Sequence, residues 1–225
     1  MERYEGIGGL ETIHVAAATG SRATVVVLHG YAMRPDDLAP FARSIGLAAD
    51  FYLPQAPLDA VPAGKTWWPI DQERRARALE RGPRDLKDEH PADAAVARGW
   101  LAGLVAALRE RHGDRPLVLA GFSQGGMLAC DAFLRGDVDA EGLALLSSSR
   151  ISLNEWEPLA ARLEGLPVLL SHGVSDTDLA FSAGEGFRDF CSAAGADVTW
   201  VPFEGGHEIP LVVWRALKRL LRELR

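Results

Sequence analysis

Dense apolar runs alternate along the chain with segments whose apolar residues recur every three or four positions. The run ATVVVLHG, residues 23–30, is rich in β-branched side chains and ends on glycine, which predicts a buried strand. Similar runs predict strands at 50–54 (DFYLP), 116–121 (PLVLAG), 142–147 (GLALLS), 167–173 (PVLLSHG) and 197–203 (DVTWVPF). The segment ETIHVAA at 11–17 predicts an antiparallel edge strand. Helices are predicted at 36–46, 91–112, 124–135, 182–194 and 211–224. In the second of these, Val96, Trp100, Leu104 and Leu108 form one apolar stripe. In the last, Leu211, Trp214, Leu217, Leu221 and Leu224 share a face opposite Arg215, Lys218, Arg219 and Arg222. That basic face reads as solvated and suits a helix C-terminus. Near-continuous hydrophobic strands alternating with helices predict an α/β fold, with a mostly parallel central sheet and helices on both faces. In such sheets the chemistry sits beyond the carboxyl ends of the strands.

One stretch breaks this rhythm. Residues 58–90 show no strand pattern, and a connection of that length is usually functional. It reads as a lid-like or loop insertion within a single domain spanning 1–225. It opens with KTWWPID, and residues 71–90 then carry six acidic and six basic side chains, the pattern of a short solvated helix and loop. Trp67 and Trp68 are adjacent indoles outside a strand. They either fill the core beneath the loop or wall a substrate site, and both are substrate-binding candidates.

Composition narrows the class. With 225 residues, 48% of them hydrophobic, the chain can bury a full core without disulfides or a metal. A net charge of −7 argues against a general nucleic-acid binder. Cys130 and Cys191 sit in apolar stretches and are expected to be buried. No secretory apolar region opens the chain, and no run nears the roughly 18 residues of a membrane span. The expectation is a soluble, cytoplasmic protein without stable membrane insertion. No metal-ligand spacing and no dinucleotide-binding glycine fingerprint is present, so neither a metal nor another cofactor is expected.

The strand at 116–121 runs into LAGFSQGGMLA, which reads as a strand, a sharp turn at Ser123 and a helix. A G-x-S-x-G motif carries weight only in that strand–turn–helix context, where the serine projects at the sheet edge. A serine hydroxyl needs a base, and the base needs an orienting carboxylate. SHGVSDTD follows the fifth main strand and supplies Asp176 or Asp178; FEGGHEIP follows the sixth and supplies His207. Asp176 lies directly in the turn, whereas Asp178 is also placed to cap the next helix. Three residue types thus fall at three strand ends in the order serine, acid, histidine. Acyl transfer also needs oxyanion donors. The backbone N–H of Gln124 and that of Tyr31, in LHGYAM after the first main strand, are placed for this, with His29 organising the loop. His172 is expected to shape the turn that presents Asp176. His14, His90 and His112 are assigned no role in the site.

These residues resemble the phospholipase/carboxylesterase family of α/β-hydrolases, which includes acyl-protein thioesterases. The resemblance rests on VVLHGYA, LPQAP, TWWPID, LAGFSQGGMLA, LLSHGVSDTDLAF and GGHEIP, in the family's order. It implies an α/β-hydrolase fold and a serine esterase acting on small carboxylic esters or thioesters. By position, Ser123, Asp176 and His207 match the catalytic residues, and the Tyr31 and Gln124 amides match the oxyanion donors. The chain departs from the family's usual pattern at Tyr31, at Thr177 and Asp178, and at WWPID. The alternatives are a dienelactone-hydrolase-like enzyme, a hydrolase of another bond type, and a binding protein on a hydrolase scaffold. Serine at the elbow weighs against the first, since those enzymes normally carry cysteine there. The complete set of three residues weighs against the last.

Overall fold

The structure is a computed structural model, which describes residues 4–17, 20–46 and 48–224. In chain order its elements are β1 (Tyr4–Ile7), β2 (Leu10–Val15), β3 (Ala23–Leu28), α1 (Ala39–Ser44), β4 (Ala49–Pro54), β5 (Leu58–Asp59), β6 (Lys65–Thr66), α2 (Gln72–Leu79) and α3 (Ala94–His112). Then come β7 (Leu117–Phe122), α4 (Gln124–Leu134), β8 (Gly142–Leu146), α5 (Leu153–Trp156), β9 (Pro167–Gly173), α6 (Phe181–Ala193), β10 (Asp197–Phe203) and α7 (Leu211–Glu223). Eight strands form one sheet in the order β1-β2-β4-β3-β7-β8-β9-β10. The pairs β1–β2 and β2–β4 are antiparallel, and every other neighbour is parallel. This is an α/β-hydrolase fold with a mostly parallel central sheet.

Strand alternation divides the core in two. On β3, Val26 and Leu28 join Leu101 of α3, Leu128 of α4 and Phe187 of α6 on one face. Val25 and Val27 face the other way, toward Ala42 of α1 and Leu217 of α7. β7 repeats the pattern, with Leu117 and Leu119 on the first face and Val118 and Ala120 on the second. Successive side chains of a strand point to opposite faces. A strand buried on both sides must therefore be apolar throughout, and that is why these runs stand out in the sequence. Cys130 and Cys191 are both buried.

The structure departs from the sequence pattern in several places. β1 adds an edge strand that its short, polar sequence did not reveal. Within 58–90, β5 and β6 pair as a two-residue antiparallel ladder where no strand was expected, followed by the helix α2. The α3 stripe is rotated: Val96 is 51% exposed, while Ala97, Leu101, Leu104, Val105 and Leu108 are buried. A four-residue spacing drifts around a 3.6-residue turn, so alternating threes and fours mark the true buried face. In α7, Leu211 is exposed at the first turn, while Trp214, Leu217, Leu220 and Leu221 are buried.

The rotation of α3 is testable. Leu101→Ala, at a fully buried position, is expected to cost about 2–5 kcal/mol of unfolding free energy. Val96→Ala is expected to change it by less than about 0.5 kcal/mol. Denaturant unfolding of the two variants checks both values.

Candidate active site

The site is assembled where the parallel strands end. At the end of β7 the chain turns within one residue into α4. Ser123 carries that turn, with φ 52° and ψ −118°. This region disfavours side chains other than glycine, and such strain persists only where the surroundings impose it. Close passage imposes it here. A Cβ on Gly121 would lie 2.3 Å from the Gly125 backbone, and one on Gly125 would lie 2.3 Å from the Leu28 carbonyl oxygen. Two bonds hold the turn: the Ser123 N–H donates to the Leu146 carbonyl at 2.9 Å, and the Ser148 hydroxyl donates to the Ser123 carbonyl at 2.9 Å.

After β9, Asp176 is buried in a tight loop. Its Oδ1 accepts the backbone N–H groups of Asp178 and Leu179 at 2.8 and 2.9 Å. Its Oδ2 accepts Nδ1–H of His207, which follows β10, at 2.6 Å. His172 Nε2 donates to the Leu179 carbonyl at 3.0 Å and stands 3.4 Å from Asp176 Oδ2. Burial by itself would raise the Asp176 pKa. Hydrogen bonds from His172, His207 and the Leu179 amide outweigh it and hold the carboxyl well below the usual carboxylate range. Because Nδ1 of His207 carries the proton given to Asp176, the lone pair of the neutral ring is on Nε2. The ring lies 4.8 Å from that of Phe122, just before the turn.

Ser123 and His207 line one cleft of about 700 Å³, together with Tyr31, Gln124, Met127 and Trp68. Among the described residues, neither the Ser123 hydroxyl nor the backbone N–H of Tyr31 or Gln124 is engaged in a hydrogen bond. The loop before Tyr31 is held by His29. Its Nδ1–H donates to the Gly30 carbonyl at 2.8 Å, and its Nε2 accepts the Ala56 N–H at 3.1 Å. Burial lowers the His29 pKa from 6.5 to about 4, against the opposing pull of its bond to Gly30. The ring is therefore neutral at pH 7.

Several placements differ from expectation. Trp67 does not reach the cleft: it is fully buried, and its indole N–H donates to the His29 carbonyl at 2.9 Å. Trp68 is the member of the pair on the cleft wall. Asp178 caps no helix, since Ala180 occupies the cap of α6; it binds Arg75 and Arg84 instead. The Gln124 side chain has a job that its backbone role concealed. Its Oε1 accepts the Trp67 N–H and its Nε2 donates to the Trp68 carbonyl, each at 3.0 Å. A glutamine opening a mostly apolar helix was the available signal, because a buried amide needs partners. The Tyr31 hydroxyl donates to the Val61 carbonyl at 2.7 Å and accepts from Gln72 Nε2 at 2.8 Å, tying residues 58–90 to the site. Among the described residues no cluster of three or more His, Cys, Asp or Glu side chains could hold a metal ion. None of the described helices is long and apolar enough to cross a membrane.

Residues 12–224 match the family model of phospholipases and carboxylesterases. The chain belongs to the phospholipase/carboxylesterase family. It is an esterase-type α/β hydrolase. The structure of esterase PE8 is similar at 26% identity and a TM-score of 0.80, covering 96% of this chain and 99% of that one. Zea mays acyl-protein thioesterase 2 is 19% identical with a TM-score of 0.76, over 94% of this chain and 97% of its own. A carboxylesterase from Mesorhizobium loti is 17% identical with a TM-score of 0.75, over 99% of each chain. At those identities the last two speak for the shared fold alone. A comparison with curated proteins finds no sequence match.

The state of His29 sets a pH dependence for stability. The unfolded chain takes up a proton below pH 6.5, while the folded ring does so only near pH 4. Stability is therefore lost as pH falls through this window, by up to about 3 kcal/mol from this group. In His29→Gln the fall in unfolding free energy between pH 6.5 and pH 4 is expected to be smaller by about that amount. Denaturant titrations at both pH values measure the difference.

Proposed function

We propose that the protein hydrolyses carboxylic esters or thioesters of small molecules through an acyl-enzyme formed on Ser123. The observation that carries this reading is the 2.6 Å bond from His207 Nδ1 to a buried Asp176, with Ser123 and His207 on the wall of the same cleft. In the first step His207 Nε2 accepts the Ser123 proton as Oγ attacks the ester carbonyl. Asp176, held ionised, fixes the imidazole tautomer and stabilises the imidazolium that forms. The free hydroxyl of Ser123 is consistent with this, since catalytic hydrogen bonds often tighten only once substrate is bound.

The developing oxyanion is stabilised by the Tyr31 and Gln124 amides, each such donor contributing about 3 kcal/mol to the barrier reduction. Among the described residues neither N–H group is engaged in a hydrogen bond, and both residues line the cleft with Ser123. His207 then returns its proton to the leaving alcohol or thiol. Water, deprotonated by the same ring, attacks the acyl carbonyl and releases the acid and Ser123. No cofactor is called on at any step. Trp68, Met127 and Tyr31 supply walls for the substrate, and the cleft is within the size range of small-molecule sites.

Ser123→Ala is expected to lower turnover of a chromogenic acetate ester by at least about a thousandfold. Asp176→Asn should lower it by about ten-thousandfold, because the amide favours the wrong imidazole tautomer. A fluorophosphonate probe should label the native protein, with the mass shift mapping to Ser123. Full activity in Ser123→Ala, or labelling at another residue, rules the mechanism out.

A further inference from the structure

The cleft that holds Ser123 has a second chemical feature, which nucleophilic catalysis leaves unused. Arg75 of α2 and Arg84, just beyond that helix, both line it and both bind one carboxylate, Asp178. Arg75 Nη2 donates to Asp178 Oδ2 at 2.9 Å, and Arg84 Nη2 donates to Oδ1. The Arg75 guanidinium also lies 5.9 Å from the centre of the Tyr31 ring. All three charged side chains are largely withdrawn from solvent, at 28%, 15% and 20% exposure.

Docking residues 58–90 onto the Asp176 loop does not require both arginines. The backbone already does it, since the Arg84 N–H donates to the Asp178 carbonyl at 3.0 Å and the Ala180 N–H donates to the Arg84 carbonyl at 2.9 Å. Of the other charged side chains along the cleft, Arg74 pairs with Glu89 and His90 with Glu155, while Asp71 caps α2 by accepting the backbone N–H of Arg74 and forms no ion pair among the described residues. At the Arg75–Asp178–Arg84 group, positive charge exceeds negative by one. Leaving a half-buried cation unmatched is costly. Each guanidinium has five N–H donors. Asp178 takes one from each side chain, and no other bond is made by these guanidinium groups among the described residues.

We infer that Arg75 and Arg84 form a carboxylate-binding wall of the cleft, and that the preferred substrates are esters bearing a second, free carboxylate. A planar carboxylate matches the guanidinium fork in shape, and its single charge matches the single excess on the wall. Asp178 holds the two side chains in place by its ion pairs with both, so little of their rotamer freedom remains to be lost on binding. The inference rests on the serine-esterase reading and names its substrate class.

The test compares kcat/KM for ester pairs that differ only in a terminal carboxylate or its neutral carboxamide. One arm places the group in the acyl part, as monomethyl succinate, glutarate and adipate. The other places it in the alcohol part, as acetoxyacetate and acetoxypropionate. The carboxylate ester is expected to be favoured about tenfold or more in one arm, the range of a charge-assisted hydrogen bond. Arg75→Gln should bring that ratio close to one, and Arg75→Lys should leave it intermediate. The comparison within the wild-type protein stands even if a variant folds poorly. A carboxamide ester handled as well as its carboxylate partner in both arms overturns the inference. So does a protein labelled at Ser123 that hydrolyses neither carboxylate series. Loss of fluorophosphonate labelling at Ser123 would instead count against the serine-esterase reading beneath it.

Discussion

The arrangement depends on one steric constraint, the passage of α4 across the ends of β3 and β7 with no room for a Cβ. Gly121 and Gly125 meet the neighbouring backbone so closely that any side chain there would collide with it. That closeness leaves the chain one residue in which to reverse, and Ser123 absorbs the reversal at φ 52°. Strain of this kind costs about 1–3 kcal/mol, and the buried sheet and helix on either side offset it. In return the serine is held at a sheet edge on the rim of a cleft, next to the first amide of α4. Backbone geometry and candidate chemistry share a single cause.

Residues 58–90 convert that rim into a cleft. They are fastened to the ends of β3, β7 and β9 by three different kinds of bond. The Tyr31 hydroxyl holds the Val61 loop and Gln72; the Gln124 amide holds the backbone of Trp67 and Trp68; Arg84 and Arg75 hold Asp178. Each anchor lies at or next to a candidate site residue, so the segment that walls the cleft is braced by the candidate catalytic loops themselves. Tyr31, Thr177–Asp178 and WWPID, the places where the chain departs from its family's usual pattern, fall at this junction. The departures therefore bear on what enters the cleft more than on how a bond within it is cleaved.

Much of the architecture was legible because burial on both faces leaves a plain record in composition. Five of the six main strands, β3, β4, β7, β8 and β9, are buried on both faces and so nearly apolar throughout, whereas β10 at the sheet edge carries the exposed Asp197 and Thr199. The positions of Ser123, Asp176 and His207 after β7, β9 and β10 followed from the same reading, since strand ends are where such sheets expose side chains. β1 was missed because a four-residue edge strand buries little and needs no apolar run. The face of α3 was misjudged because counting in fours ignores the 3.6-residue turn. Trp67 could not be separated from Trp68, because adjacent residues of an irregular loop have no periodicity to assign their sides.

The sequence by itself determined which segments are buried, in what order the candidate catalytic residues follow one another, and that each stands at a strand end. Those properties follow from local patterning, which a linear chain records. The partners of the polar groups were decided only by the tertiary structure. Which indole faces the cleft, what the Gln124 amide binds and where two arginines converge on Asp178 all depend on contacts between residues tens of positions apart. Hydrogen bonds and ion pairs are short-ranged and directional, so a shift of an ångström or two changes the partner, and no periodicity along the chain carries that distance.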